Sequence, residues 1–387
     1  MMTDQTRADD GVRMDRRGLV NAAIAGLGVG ALAACSRPTA AAKSEDPTAP
    51  TAVIKWKAQA SDGAVTSCYE PFVKFCSNVA ELSEGKLVIE PHGPGEIVSV
   101  RDMFDAVKTG KLDLAVTFPG FVEGVLGTNF LTSYPLGLDR PDQWETWYYQ
   151  LGGLELARKM FEPHGLYFLA PIQHDLNLIH SRRPVRSVDD FKGLKLRMPG
   201  GLIGEVFEQV GAKTVFLTGD QVYPALQNGA IDAADFAGPA TNFNLGFANV
   251  SKYIVMGPPS TPCIHQPVDL HCAFVSAQRW NALPKRLQLV VEYAVRRYSW
   301  DDYAHVQKEN IAAWRKFRDK GVEVLRLSNA DVETLRRIAI PLWFKWARKD
   351  PLASEAFAGQ LAYMKNPSVG YLTDDMLVDE QGSRLTL

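Results

Sequence analysis

The sequence has little of what marks most enzymes and nucleic-acid-binding proteins. Its 387 residues include five cysteines and seven histidines, and the formal net charge is only −2. It contains no nucleophile elbow, no phosphate-cradling GxxxxGK[ST] loop and no metallohydrolase histidine pair. A charge so close to neutral argues against nucleic acid or an anionic membrane as the main partner. Small solutes and protein surfaces are therefore the expected partners, and no catalytic residue is predicted.

The cysteines and histidines show no zinc spacing either. His265 and His271 are close in sequence, but no third residue stands at ligand spacing from them, so a structural hydrogen-bonding role is expected for both. Cys263 and Cys272 flank an extended segment, and the sequence leaves open whether they form a disulfide.

Residues 1–35 are predicted to be an export signal. The pair Arg16 and Arg17 precedes a weakly apolar Ala/Gly run, as in twin-arginine signals. The run ends in "LAAC", which resembles a lipobox whose Cys35 becomes the lipid-bearing first residue; a plain cleavable signal is the alternative. Residues 36–51 are rich in Pro, Ala and Thr and are predicted to be a flexible tether. We therefore expect a periplasmic protein anchored through Cys35.

The remaining sequence alternates between strand and helix patterns in two series. The first begins at "AVIKWKAQA" and the second at "GLYFLAPIQ", and the second ends at "AIDAADFAGP". Such alternation predicts parallel sheets with right-handed crossovers. We expect an α/β protein of two Rossmann-like lobes: lobe I from residues 52–173 and 262–290, lobe II from 174–261, and a lobe-spanning helix with further C-terminal helices from 291–387.

The long helix is predicted from a stretch that lacks breakers. After Pro284 more than thirty residues carry apolar side chains at spacings of three and four. A helix of about 50 Å is longer than either lobe needs, so we expect it to span both. Two helices separated near Asp301 are the alternative.

One strand ends in a permanent cation. In "DFKGLKLRMPGG", residues 190–201, an apolar strand finishes at Arg197 and a Pro-Gly-Gly turn leads into a helix beginning near Leu202. Ligands of open parallel sheets bind beyond the carboxyl ends of the strands. A guanidinium grips a carboxylate through two parallel N–H bonds, and a helix N-terminus adds free N–H groups. Arg197 is therefore a candidate carboxylate ligand, and a surface ion pair is the alternative.

The motifs "FKGLKLR", "YPALQNGAID" and "DFAGP" lie in order between residues 187 and 239. They resemble those of the tripartite ATP-independent periplasmic (TRAP) solute receptors of the DctP type, and the resemblance covers essentially the whole mature chain. It implies a receptor whose two lobes, joined at a hinge, close on an organic acid. It also implies that Arg197 clamps the carboxylate and that membrane subunits accept the solute.

The form "ADFAGP" resembles a subgroup that binds 2-oxo or 2-hydroxy acids together with a metal ion. The resemblance implies a cation site formed by Asp235, the backbone carbonyl of Phe236, and Gln266, with Phe236 also beside the solute. All three are oxygen donors, which suits Na⁺ or Ca²⁺ and not zinc. The expected solute is a monocarboxylate such as pyruvate or lactate.

The sequence departs from that subgroup at one position. The subgroup's amide ligand falls near Leu176, which cannot coordinate, but Asp175 and Asn177 flank it and share one strand face. Both are therefore candidate solute-binding residues. Phe121 is predicted to form an apolar wall over the solute together with Phe118, for which a core position is the alternative.

Three other functions are compatible with the sequence. They are a receptor for a dicarboxylate or another acid without metal, a receptor of the ABC type, and an exported enzyme with unrecognised catalytic groups. Some relatives in the TRAP family dimerise through terminal helices. The apolar residues Trp343, Phe344 and Trp346 make such a homodimer an expectation here as well.

Overall fold

A computed structural model of the protein describes residues 52–122, 125–369 and 372–387. The predicted signal of residues 1–35, with Cys35, and the predicted tether of residues 36–51 lie outside this range. Across the described ranges, no helix combines the length and the apolar composition needed to cross a bilayer.

The described chain alternates between strands and helices, as the sequence predicts. The strands are β1 (Ile54–Ala60), β2 (Leu87–His92), β3 (Leu114–Thr117), β4 (Leu166–Gln173), β5 (Leu178–Ser181), β6 (Lys195–Arg197), β7 (Lys213–Val215), β8 (Ala233–Phe236), β9 (Tyr253–Met256), β10 (Leu270–Ser276) and β11 (Glu323–Arg326). The α-helices are α1 (Tyr69–Leu82), α2 (Met103–Lys108), α3 (Pro141–Gln150), α4 (Gly153–Phe161), α5 (Gly201–Gln209), α6 (Gly219–Asn228), α7 (Pro239–Asn244), α8 (Ala277–Asn281), α9 (Lys285–Asp319), α10 (Asn329–Ala347) and α11 (Pro351–Met364).

The strands form two sheets, each covered by helices. The first has the order β2-β1-β3-β10-β4 and the second the order β11-β9-β5-β8-β6-β7. In the first sheet β1, β2 and β3 are parallel, whereas β10 is antiparallel to both neighbours. In the second, β5 is the antiparallel strand, between β8 and β9. The predicted α/β class with two lobes is confirmed.

Two connections without a helix join the sheets: the short segment from β4 to β5 and the segment from β9 to β10. A third, from β10 to β11, runs through α8 and α9. Strand β11 also belongs to the second sheet, where it pairs with β9 at the edge. The sequence analysis did not identify β11, because this four-residue edge strand, "EVLR", buries only Leu325 and has no sustained period-2 pattern.

Helix α9 links the two halves of the molecule. It is one unbroken helix of 35 residues, so the alternative of a break near Asp301 is wrong. It packs on β4 and α1 of the first half and on α7 of the second. The prediction of a long helix that spans both lobes is confirmed.

The C-terminal aromatic residues lie inside the chain. Trp343 and Phe344 of α10 are almost completely buried, and the Trp343 ring packs against Tyr134 with 5.5 Å between centroids. Trp346 is half-buried, and its indole N–H donates to Glu205 over 2.6 Å. These three side chains hold α10 to the body of the protein, and the homodimer stays a prediction.

Cys263 and Cys272 are free thiols. The sulfur of Cys263 donates to the carbonyl of Asn177 over 3.2 Å, and that of Cys272 donates to the carbonyl of Thr117 over 3.3 Å. The two thiols are thus directed to different strands.

His180 is a completely buried histidine on β5. Its Nε2 lies 3.0 Å from the amide nitrogen of Asn242, and the rings of Phe247 and Phe317 pack against it at 5.2 and 5.3 Å. Burial lowers the pKa of His180 to about 3, because the charged ring would lose its hydration. The folded protein therefore keeps this ring neutral, whereas the unfolded chain protonates it near pH 6.5.

We predict that His180 makes stability depend on pH between about 3 and 6.5. Below the unfolded pKa the unfolded chain binds the extra proton, so the free energy of unfolding falls by about 1.4 kcal/mol for each pH unit of acidification. Urea unfolding at pH 7, 6 and 5 should show a smaller slope in His180→Gln than in the wild type. His305→Gln, which changes a half-buried histidine of α9, should keep the wild-type slope, and equal slopes in all three proteins would refute the assignment.

Candidate ligand-binding site

Arg197 occupies the last position of β6, and its side chain is 5% exposed. The turn that follows uses Gly200 at φ +85° and Gly201 at φ +60°, both in the left-handed region that favours glycine. This turn brings the N-terminus of α5 directly after the arginine. The strand and the turn together place a cation at the carboxyl edge of the second sheet.

Part of the Arg197 guanidinium is hydrogen-bonded within the protein. Nη1 donates to the side chain of Asp235 over 3.0 Å and to its backbone carbonyl over 2.8 Å, and Nε donates to the carbonyl of Leu217 over 3.1 Å. The ring of Phe236 lies 5.3 Å below the guanidinium carbon. Within the described part of the chain Nη2 has no hydrogen-bond partner, which leaves two N–H donors for a ligand.

Asp235 lies between Arg197 and a second nitrogen donor. Nε2 of His265 is 2.8 Å from Oδ1 of Asp235, and both side chains are buried. Burial opposes a charge on the ring, but the adjacent sulfur of Cys263 and the hydrogen bond to Asp235 outweigh it and raise the pKa of His265 to about 10. Burial also lowers the pKa of Arg197, yet a guanidinium keeps its charge at neutral pH. Arg197 and His265 thus lie against different oxygens of one carboxylate.

Asn177 and Gln266, predicted on separate grounds, meet in the structure. The amide of Asn177 donates to Oε1 of Gln266 over 3.1 Å, and the backbone N–H of Asn177 donates to the Gln266 carbonyl over 3.0 Å. Oδ1 of Asn177 is buried without a hydrogen-bond partner among the described residues. The amide of Gln266 reaches Asp269 at 3.5 Å, and burial, followed by the charges of Asp235 and Asp62, raises the pKa of Asp269 well above its usual range.

Asp175, a predicted solute-binding residue, is bonded to helix α9. Its carboxylate accepts from Asn310 over 2.8 Å and from Gln307 over 3.2 Å, both on α9, and from the backbone N–H of Leu176 over 2.8 Å. These bonds account for both carboxylate oxygens. Asp175 therefore attaches the β4–β5 connection to α9 and is not bonded to Arg197.

Aromatic side chains near the site make a contact between the two halves. The ring of Phe121 packs against Phe118 at 5.3 Å and against Phe216 of the second half at 5.8 Å, while Arg101 lies 4.4 Å above the Phe216 ring. Phe118 belongs to the core and also lines a cavity of about 190 Å³. The other side of that cavity is the turn 199–201, directly after Arg197.

Two histidines have neighbours that the spacing in sequence did not indicate. His265, for which a structural hydrogen-bonding role was expected, is the second partner of Asp235, and its position beside Gln266 was the only signal. His174 lies next to His271 with 4.6 Å between ring centroids. No third residue stands at ligand spacing from His271 in sequence, but residues far apart in sequence come together at the ends of β4 and β10.

Comparison with known proteins identifies the family of this chain. Residues 60–350 match the family described as "Bacterial extracellular solute-binding protein, family 7", DctP. The chain belongs to this family. Members are extracellular solute receptors, so this chain is a solute receptor and not an enzyme.

Individual relatives of this DctP-family receptor support the assignment. A monocarboxylate 2-oxoacid-binding periplasmic protein of Nostoc sp. is 26% identical over 355 residues, which is 91% of this chain and 94% of the relative. A TRAP solute-binding protein of Bordetella bronchiseptica, crystallised with calcium and picolinate, has a TM-score of 0.76 at 24% identity and covers 82% of this chain and 93% of its own. One of Colwellia psychrerythraea, with calcium and pyruvate, has a TM-score of 0.75 at 24% identity, covering 81% and 94%.

Gly238 permits a close approach at the edge of the site. It precedes α7, and a Cβ atom at this position would collide with the carboxylate of Asp175. Only a residue without a side chain lets the turn after β8 pack against the connection between the sheets. The same turn carries Asp235 and Phe236 at its start.

We predict that Gly238→Ala destabilises the receptor by about 1–3 kcal/mol or more, because the added methyl group must displace Asp175 from its bonds to α9. Gly204→Ala is the matched control, since a Cβ there meets no atom within 4 Å and Gly204 lies within helix α5. The control should be neutral or more stable by about 0.5–1 kcal/mol. Urea unfolding measures both, and equal destabilisation of the two variants would contradict the prediction.

Proposed function

We propose that this receptor binds a small 2-oxo or 2-hydroxy monocarboxylate, such as pyruvate or lactate, and delivers it to TRAP membrane subunits. The Nostoc relative, named for 2-oxoacids, and the Colwellia receptor with pyruvate support this choice of solute. Arg197 is the residue that holds the carboxylate. Export with anchoring through Cys35, and the solute-side roles of Phe121, Phe236 and Asn177, are parts of the same proposal.

The incompletely bonded guanidinium of Arg197 is the observation that carries the proposal. The permanently charged Arg197 and the ring of His265 both lie against the buried Asp235, at 3.0 and 2.8 Å. Nη2 of Arg197 is the donor without a partner in the described structure. Hydrogen bonds between charged groups contribute about 1.5–3 kcal/mol each. A single carboxylate supplies the missing acceptors, which favours a monocarboxylate over a dicarboxylate.

The same unpaired donor explains why solute would drive closure. The halves already touch at the mouth, where Phe121 meets Phe216 and the backbone N–H of Leu202 donates to Asn129 over 3.1 Å. Burying an N–H donor without an acceptor costs about 1–3 kcal/mol. A ligand shifts an equilibrium only by its difference in affinity for the two states. A carboxylate that contacts Arg197 only in the closed form binds that form more tightly than the open form, and it therefore favours closure.

The oxygen donors beside Arg197 fit a hard cation. Asp235, Gln266 and the unpaired Oδ1 of Asn177 offer carboxylate and amide oxygens, which Na⁺ and Ca²⁺ prefer. A carboxylate has about four lone-pair sites, so Asp235 retains capacity beside its bonds to Arg197 and His265. When bound, the cation would add an electrophilic partner for the 2-oxo or 2-hydroxy oxygen.

A metal-free acid receptor is the second candidate. It is favoured by His265, whose Nε2 already lies against Oδ1 of Asp235 at 2.8 Å. In that arrangement the imidazole supplies the positive charge that a metal ion would otherwise bring. The two candidates share Arg197 and differ only in their need for a cation.

We predict that Arg197→Lys weakens pyruvate binding at least about tenfold, because an ammonium cannot reproduce the planar pair of donors. Isothermal titration calorimetry with pyruvate, lactate, succinate and acetate measures the effect and the solute preference. Arg183→Lys, an exposed arginine after β5, is the control and should bind as the wild type does. Unchanged affinity in Arg197→Lys rejects the clamp, and wild-type binding of succinate alone would replace the monocarboxylate by a dicarboxylate.

We predict that Ca²⁺ or Na⁺ raises the affinity of the chelator-treated receptor for pyruvate at least about tenfold, because the cation would bridge the solute and Asp235. Asp235→Asn and Gln266→Leu should each reduce that cation dependence, while circular dichroism checks that both variants fold. If pyruvate affinity is the same with EDTA and with Ca²⁺, the metal-free candidate replaces the first.

A further inference from the structure

A second group of metal-ligating side chains lies on the first half of the molecule. We call Asp62, Cys68, His174, Asp269 and His271 the crossover cluster. His174 directly follows β4, Asp269 directly precedes β10 and His271 is the second residue of β10. Asp62 and Cys68 belong to the loop between β1 and α1. The cluster is thus built where both helix-free connections between the sheets meet the edge of the first sheet.

The cluster has the dimensions of a metal site. One ligand atom each from His174, Asp269 and His271 lie within 4.8 Å of one another, and the same holds for Asp62, Cys68 and His174. Nδ1 of His174 is 3.9 Å from Oδ2 of Asp269, and Nδ1 of His271 is 3.4 Å from Oδ2 of Asp62. Tetrahedral zinc sites place their ligand atoms about 3.4 Å apart. A movement of roughly 1 Å would therefore complete the site.

The environment of His174 is a second, independent indication of a metal site. It is 1% exposed, and neither of its ring nitrogens has a hydrogen-bond partner among the described residues. Buried polar side-chain atoms nearly always have a partner, because leaving water without one is costly. Nδ1 of His174 lies 3.9 Å from Oδ2 of Asp269, too far for a hydrogen bond. A metal ion bound between these groups would give one of the two ring nitrogens its partner.

The backbone holds the histidines in place before any metal arrives. The N–H of His174 donates to the carbonyl of Asp269 over 3.0 Å, and that of Asp269 donates to the carbonyl of Asp175 over 2.6 Å. Asp62 lies beside Nδ1 of His271, and a carboxylate in that position fixes the tautomer and orientation of a metal-binding imidazole. Asp62 is also partly exposed and so gives the cluster access to solvent.

We infer that the crossover cluster binds one borderline transition-metal cation, with Zn²⁺ as the best match, through His174, His271 and Asp269. Two imidazoles, carboxylates and a nearby thiol are the donors that zinc selects, whereas Na⁺ and Ca²⁺ select oxygen alone. The site adjoins the oxygen donors around Asp235, because the amide of Gln266 lies 3.5 Å from Asp269, but it shares no ligand with them. A metal held here would tie the loop after β1 to both helix-free connections between the halves.

The test is zinc titration of the full-length receptor, purified without a polyhistidine tag, treated with a chelator and kept free of organic acids. Calorimetry should show one Zn²⁺ per chain, and zinc should raise the melting temperature. His174→Gln and His271→Gln should each lower zinc affinity by about 100-fold or more. His92→Gln is the matched control, because His92 lies near Glu90 and Glu96 at the surface, at 3.6 and 3.3 Å.

Three results would overturn the inference: no zinc binding by the wild type, wild-type affinity in both cluster variants, or loss of binding in His92→Gln. Circular dichroism reports whether each variant folds. If either cluster histidine proves necessary for folding, Asp269→Asn takes its place, and wild-type affinity in that variant again overturns the inference. Because no organic acid is present, failure here is separate from failure of the proposed solute site.

Discussion

The buried pairing of Arg197 with Asp235 is the interaction on which the rest of the site depends. An arginine at the end of an interior strand is tolerable only if its charge is compensated, and Asp235 compensates it from the neighbouring strand at 3.0 Å. His265 then engages the other carboxylate oxygen from the connection between the sheets. Asp235 thereby links the end of β6 to the β9–β10 connection through its contacts with Arg197 and His265. What remains without a partner in the described structure is Nη2 of Arg197.

The sequence predicts the parts of the site that follow from regular structure. Arg197 and Asp235 end parallel strands, and the carboxyl ends of adjacent parallel strands must converge, so their proximity follows once the strands are recognised. The long helix is predictable for a similar reason, because a sustained apolar period without breakers admits few alternatives. The α/β class and the two lobes follow from the alternation of the two patterns.

The remaining parts depend on irregular segments and on distant contacts. His265 and Asn177 lie in the connections between the sheets, where no periodicity indicates which way a side chain points. Asp175 was expected near the solute because it flanks Leu176, but Asn310 and Gln307 of α9, more than a hundred residues later, determine its place. Trp343 and Phe344 look like a surface in sequence and lie in the core, because apolar residues on a helix do not reveal which neighbour covers them.

The bonds from Asp175 to α9 restrict how the receptor can open. A helix of 35 residues resists stretching, and it is gripped by the first half along β4 and by the second half along α7. The β4–β5 connection is fastened to the same helix at Gln307 and Asn310. The pivot of any swinging motion must therefore run close to this rod. Opening would therefore separate Phe121 from Phe216 by a large distance, while the backbone beside Asp175 would move little.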